Sequence, residues 1–186
     1  MRTLFIDTHL SDINIILFDE YQIVKEKQII GQKHNSVYLM PTVKEVIDGQ
    51  SYDEIVVVNG PGSFTGVRLG VTVAKTLAYV KKIPIKTITS LDILNYSCEE
   101  ADHICAISDG NGYFIGEYLN YQKTKEYYYL SNTEYNLFSE NKNIITDVTI
   151  KYDKIINYLR SIPAQNPHGV NPIYIKLIGV ENDKRN

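Results

Sequence analysis

The 186-residue sequence predicts an α/β protein built as two related lobes, and three observations carry that reading. Apolar runs at 4–6, 13–18 and 22–30, parted by Asp7-Thr8 and Asp19-Glu20, read as an antiparallel meander. From 55 onward, apolar strands alternate with helical patterns: strand 55–58, helix 64–80, strand 83–88 and a helix from Ser90 to about 100. The stretch 103–130 then repeats the first meander. A strand ends in Asp109, Gly110-Asn111-Gly112 turns the chain, 113–119 forms a second strand, and 126–130 a third. The lobes are drawn at 1–101 and 102–186.

The chain between the first meander and residue 101 supports the fold element by element. A helix over 36–47 puts Leu39, Met40, Val43, Val46 and Ile47 on one face, with Pro41 either kinking it or forcing a later start. The strand at 55–58 stops at Asn59-Gly60-Pro61-Gly62-Ser63, and Ser63 or Thr65 can cap the helix that follows. Within that helix Gly66 and Gly70 each cost about 0.8–1 kcal/mol against alanine. With Ala74 and Ala78 they form a ridge of small residues at every fourth position, which suits close approach of another backbone. At about 100° per residue, Arg68, Thr72, Lys75, Thr76 and Tyr79 share a polar arc, and the remaining arc of roughly 200° is apolar or small. That is about twice what a helix laid on one sheet requires. One flank therefore covers the sheet, and the other meets either the helix at 36–47 or another protein chain. Beyond Ser131 the pattern is weaker. It suggests a strand at 143–148, an amphipathic helix at 153–161, a loop at 163–172 and a final strand at 173–178.

Composition excludes several functions. Hydrophobic residues are 44% and charged residues 22%, with a net charge of −3, so no broad basic face for unaided nucleic-acid binding is expected. No apolar run approaches the ~20 residues of a membrane helix. The acidic start Met-Arg-Thr-Leu-Phe-Ile-Asp is unlike a signal peptide, and Cys98 and Cys105 read as reduced structural thiols, so a cytoplasmic protein is expected. No metal site is assembled by spacing: the residue one turn after His34 is Tyr38, and His9, His103 and His168 are scattered. The glycine turn stands where backbone N–H groups and a helix dipole can hold phosphate, yet it is neither a Walker A loop nor a dinucleotide fingerprint. A structural turn that launches a closely packed helix is the competing reading. Asp7 and Asp109 end corresponding strands, and either orient a metal-bound water or phosphates, or cap their turns.

Asn-Gly-Pro-Gly-Ser-Phe-Thr-Gly-Val-Arg-Leu-Gly-Val at 59–71, followed by Ala74-Lys75, Ile83-Pro84 and Ser90-Leu91, resembles the bacterial TsaB family. Leu-Phe-Ile-Asp-Thr at 4–8, His34 with Leu39 and Pro41, and Ile-Ser-Asp at 107–109 support the resemblance. His9 replaces the family's usual Ser, and Asn111 a common basic residue. The resemblance implies an actin/Hsp70/sugar-kinase-like (RNase H-like) fold of two lobes, the second reduced. It implies an accessory, non-catalytic subunit of the machinery that places a threonylcarbamoyl group on N6 of adenosine 37 in tRNA. The family motif is Gly60, Pro61, Gly62, Ser63, Phe64, Thr65, Gly66 and Arg68. Docking of the catalytic paralogue TsaD through first-lobe helices is expected on Met40, Val43, Val67, Gly70, Val71, Ala74 and Ala78. The ATPase TsaE joins the assembly, a homodimer forms when the subunit is alone, and tRNA is met only within the complex. No resident metal or cofactor is expected. Asp7, Thr8 and Asp109 are the nucleotide-proximal candidates, should ATP and Mg²⁺ sit at a shared interface. The alternative is a small ATP-dependent phosphotransferase of the same fold, using Asp7 and Asp109.

Overall fold

A computed structural model describes residues 1–31, 35–146 and 150–175. Strands β1 (Thr3–Asp7), β2 (Ile13–Phe18) and β3 (Ile23–Ile29) form the antiparallel meander. β4 (Glu54–Val58) and β5 (Ile85–Ile88) add in parallel on the far side of β1, giving the order β3-β2-β1-β4-β5. Helices α1 (Asn35–Ile47) and α2 (Phe64–Lys81) cover one face of this sheet. Helices α3 (Ser90–Ser97) and α5 (Tyr152–Ser161) lie against the other. Period-two alternation divides the strands between two cores. Leu4, Ile6, Ile55 and Val57 meet α1 and α2, whereas Phe5, Val56 and Val58 meet Ile93 of α3 and Ile155 and Leu159 of α5. A sheet covered on both faces explains why β1 and β4 are buried along their whole length.

The second sheet repeats the meander. β6 (His103–Ser108) pairs antiparallel with β7 (Gly112–Leu119). The far edge of β7 is shared in succession by β8 (Gln122–Lys123) and β9 (Tyr128–Ser131). β10 (Ile144–Ile145) lies parallel to β6, and α4 (Asn132–Ser139) follows β9. α3 sits between the sheets, its Ile93 in the first core and its Leu91 and Leu94 packed with Cys105, Ile107 and Phe114 of the second.

Several boundaries differ from the sequence expectation. α1 starts at Asn35 and runs through Pro41, whose missing N–H falls on an exposed side of the helix. α3 stops at Ser97, because Cys98 is extended. Of the strand expected at 143–148, Ile144–Ile145 form a strand, 143 and 146 do not, and 147–148 lie outside the described residues. Residues 173–175 are not a strand, and the rest of that expected strand, like His34, lies outside the described residues. The lobe boundary also changes. α5 buries Ile155, Ile156 and Leu159 on the first sheet, and Val170 lies in the core beneath α1 and α2, so the chain returns to the first lobe after the second sheet. An amphipathic helix is read from sequence without its docking partner, and here the partner is the sheet formed a hundred residues earlier.

Candidate functional site

The site begins at the end of β1, where α2 comes unusually close. A Cβ on Gly66 would lie 2.1 Å from the Thr8 carbonyl oxygen, and one on Gly70 would lie 2.4 Å from Thr8 Oγ1. A Cβ on Gly62 would lie 2.2 Å from the His9 carbonyl oxygen. Thr8 Oγ1 donates to the Gly66 carbonyl at 2.7 Å, and the Ser63 N–H donates to the His9 carbonyl at 2.7 Å. Ser63 also caps α2, its Oγ accepting from the Gly66 N–H at 3.3 Å. On the other side, Ser90 donates its hydroxyl to the Pro61 carbonyl and its N–H to the Gly60 carbonyl. The motif of Gly60, Pro61, Gly62, Ser63, Phe64, Thr65 and Gly66 is thus a fastening between β1, α2 and α3.

This geometry corrects the docking face expected from sequence. Val43, Val67, Gly70, Val71, Ala74 and Ala78 are buried in the protein's own core, at most 4% exposed among the five with side chains. The small ridge admits β1, and the flank of Val67 and Val71 follows it onto the sheet. The flank left partly open is Leu69, Val73 and Leu77, continued by Val80 at 72% exposure. On α1, Met40 is half-buried and Val37 is 65% exposed.

The polar arc of α2 holds the chain's own C-terminal segment. Arg68 Nε donates to Tyr174 Oη at 2.9 Å while its guanidinium lies 3.5 Å above the Phe64 ring centre. Lys75 Nζ donates to the Val170 carbonyl at 2.7 Å, and Tyr79 meets the His168 ring edge-on. The Ile173 N–H donates to the Asn59 carbonyl, and Gln165 N–H to the Ile85 carbonyl. The segment Pro172–Ile175 borders a cleft of about 700 Å³ between the lobes, walled by Pro61, Phe64, Asp109 and Phe114.

The two aspartates part company in this cleft. Asp109 is on its wall, with Oδ1 accepting from the Asn111 N–H at 2.9 Å and from Tyr129 Oη at 2.8 Å. Asp7 is 1% exposed and is not on the wall. Its Oδ1 accepts from the His9 N–H at 3.0 Å and lies 2.6 Å from His9 Nδ1, so His9 folds back as the aspartate's partner. Thr8 is fully buried beneath Gly66 and Gly70. Thr8 and His9 of this turn lie buried beneath α2, whereas Leu10 and Ser11 reach the wall of the cleft beside Gly62 and Ser63.

Asp92 stands in the first turn of α3 and joins the lobes. Its Oδ1 accepts from Tyr118 Oη at 3.1 Å and Tyr127 Oη at 2.8 Å, and its Oδ2 from Thr89 Oγ1 at 2.7 Å. Burial, and then the Asp92 charge, push both tyrosine hydroxyls above their ordinary range.

Residues 28–166 match the family model described as TsaD, tRNA N6-adenosine threonylcarbamoyltransferase. The chain is 41% identical over 99 residues to the tRNA threonylcarbamoyladenosine biosynthesis protein TsaB of Bacillus subtilis, covering 50% of this chain and 43% of that protein. It is 29% identical over 96 residues to the TsaB of Escherichia coli, covering 49% and 41%. The matches therefore span less than half the length of these curated relatives. YeaZ from Pseudomonas aeruginosa superimposes with a TM-score of 0.73 at 16% identity, covering 93% of this chain and 99% of that one. A second P. aeruginosa structure, of an uncharacterized protein with similarity to peptidase YEAZ, gives 0.73 at 15% identity, covering 94% and 99%. At such identity the likeness speaks for the fold alone, the two-sheet α/β architecture shared with the YeaZ structures. Among the described residues no helix is long and apolar enough to cross a membrane.

Proposed function

The chain belongs to the TsaD family of tRNA N6-adenosine threonylcarbamoyltransferases, as a TsaB-type member, and on that premise we propose that it is the non-catalytic subunit of a tRNA N6-threonylcarbamoyladenosine synthesis complex. Its task is to bind and activate the catalytic paralogue TsaD. The observation that carries this reading is that α1 and α2 keep apolar side chains which the chain's own core leaves partly or largely uncovered, Val37 and Met40 on α1 and Leu69, Val73 and Val80 on α2. Uncovered apolar side chains on two helices that pack against each other suit a protein partner. A related first lobe offers a similar pair of helices, so the same face also serves a homodimer when TsaD is absent.

The reading assigns no chemistry to this chain. Asp7 is sequestered by His9 and does not wall the cleft, which favours the accessory role over a phosphotransferase using Asp7 and Asp109. ATP and Mg²⁺ then belong to an interface shared with a partner, TsaE joins the assembly as its ATPase, and tRNA is met only through the complex.

Co-expression with TsaD from the same organism tests the proposal. Val37→Glu and Val80→Glu alter exposed side chains, so each should leave the melting temperature unchanged and abolish co-elution with TsaD. Normal co-elution of both variants would overturn the assignment of this face. Gly70→Leu would not probe docking, because its side chain would collide with Thr8 inside the monomer.

A further inference from the structure

Cys98, His103 and Cys105 follow no recognised metal-binding spacing, yet the fold gathers them. One ligand atom from each lies within 4.8 Å of the other two, and all three residues are buried. The local geometry explains why. Cys98 is the C-cap of α3, the chain turns through 99–102, and His103 and Cys105 then occupy alternate positions of β6. Alternate positions of a strand share a face, so imidazole and thiol project together toward the end of α3.

A second observation points to a ligand. His103 is 4% exposed, and its Nε2 has no hydrogen-bond partner. Its Nδ1 lies 2.7 Å from the Glu100 carbonyl oxygen, which can only accept, so Nδ1 carries the proton. Nε2 is therefore left as a bare lone pair inside the protein. A protonated Nδ1 bonded to a carbonyl is the arrangement that fixes a metal-binding imidazole. A disulfide between the two cysteines would leave this nitrogen unpaired, whereas a cation satisfies all three groups at once.

We propose that Cys98 Sγ, Cys105 Sγ and His103 Nε2 bind a thiophilic divalent cation of the Zn²⁺ class. Charge selects it. Two thiols each lose a proton on binding, and the two thiolates neutralise a 2+ ion, so the buried assembly carries no net charge. Cu⁺ at the same site would leave one uncompensated negative charge. Three protein donors leave one tetrahedral position for an exogenous donor, and among the described residues no fourth thiol, imidazole or carboxylate joins the group. The ion would staple the end of α3 to the start of β6, at the point where the chain passes from the first sheet to the second. This is a structural role, independent of TsaD binding.

The test uses the full chain, stripped with a chelator and kept reduced under argon. Titration with Co²⁺ should give one equivalent of binding, with a sulfur-to-cobalt charge-transfer band that added Zn²⁺ bleaches. Zn²⁺ should raise the melting temperature of the wild type and leave Cys105→Ser and His103→Gln unmoved, while far-UV circular dichroism verifies that those variants fold. Cys98→Ser should also lose the band and gives the same discrimination if either of the others does not fold. A folded, reduced wild type without the band overturns the proposal, as does a band retained by both His103→Gln and Cys98→Ser. A Cys98–Cys105 disulfide that persists under reductant also overturns it.

Discussion

Thr8 and Gly66 share a reciprocal contact: the threonine hydroxyl donates to the glycine carbonyl at 2.7 Å, and the glycine's missing side chain leaves room for the threonine carbonyl. The helix-propensity cost of Gly66 is therefore set against packing with β1. A Cβ there would lie 2.1 Å from a backbone oxygen, which no rotamer change relieves. Overpacking of this kind costs about 1–3 kcal/mol, more than the ~1 kcal/mol that alanine returns in helix propensity. Gly66→Ala should lower stability in urea unfolding, contrary to expectation for an ordinary helical glycine. An increase would mean that α2 can slide off Thr8. Thr8→Val keeps the shape and removes the second hydrogen bond to the Gly66 carbonyl, which lies within α2 and keeps its helical acceptor role, at a cost of about 0.5–1.5 kcal/mol.

The buried ion pair between Lys86 Nζ and Glu54 Oε2, 3.0 Å apart and under 10% exposed on each side chain, ties β5 to β4. Thr3 Oγ1 and the Leu159 carbonyl complete its hydrogen bonds. Removing one partner leaves a buried charge, so Lys86→Met should destabilise by about 3–5 kcal/mol. The double change Glu54→Leu with Lys86→Met should recover much of that loss. A double mutant as unstable as the single would mean that the pair itself, rather than the stranded charge, sets the cost.

Glu99 accepts from Lys151 Nζ at 2.8 Å and Lys154 Nζ at 3.1 Å, linking the loop after α3 to the start of α5. Those hydrogen bonds, and then the lysine charges, hold its carboxyl down to about 2 from an ordinary value of 4.5. A depressed folded-state value contributes stability that is present above about pH 4.5 and is lost as pH falls toward about 2. Glu99 is exposed, so the contribution is small, but its titration is directly observable. Carboxyl ¹³C NMR should give a midpoint near 2, moving back toward 4.5 in the double variant Lys151→Ala with Lys154→Ala. An unmoved midpoint would remove the lysines as the cause.

The first meander, the glycine turn and α2 are legible in the sequence because strand alternation and turn residues are local signals. Their assembly is less so. The pattern of α2 gives two apolar flanks and a small ridge, but not which of them the sheet takes. Thr8 decides this by coming within contact of Gly66 and Gly70, and Val67 and Val71 follow the ridge inward. α4 escaped for another reason. Its capping box, Ser131 with Glu134, stands in the sequence, but the helix buries no residue and has no apolar stripe to reveal it. The joining of Cys98, His103 and Cys105 depends on a helix-to-strand turn, which spacing rules for helices and knuckles do not describe.

In sequence the C-terminal segment reads as a loop and a strand, because nothing periodic marks its attachment, which rests on side chains of the polar arc of α2. Lys75 is the strongest of these. It is a charged donor at 2.7 Å from the Val170 carbonyl, and such bonds contribute about 1.5–3 kcal/mol. Arg68 on Tyr174 and Phe64 is exposed, where a cation–π contact contributes about 0.5–1 kcal/mol. Val170 is 1% exposed in the core beneath α2, so Val170→Ala should forfeit part of the about 1.5–3 kcal/mol of full valine burial. These magnitudes set an order for release of the segment from the cleft. Hydrogen exchange at the Ile173 N–H, which donates to Asn59, should quicken most in Lys75→Met and Val170→Ala and least in Arg68→Ala. Equal, unchanged protection in all three would show that the backbone bonds to Asn59 and Ile85 hold the segment without help from α2.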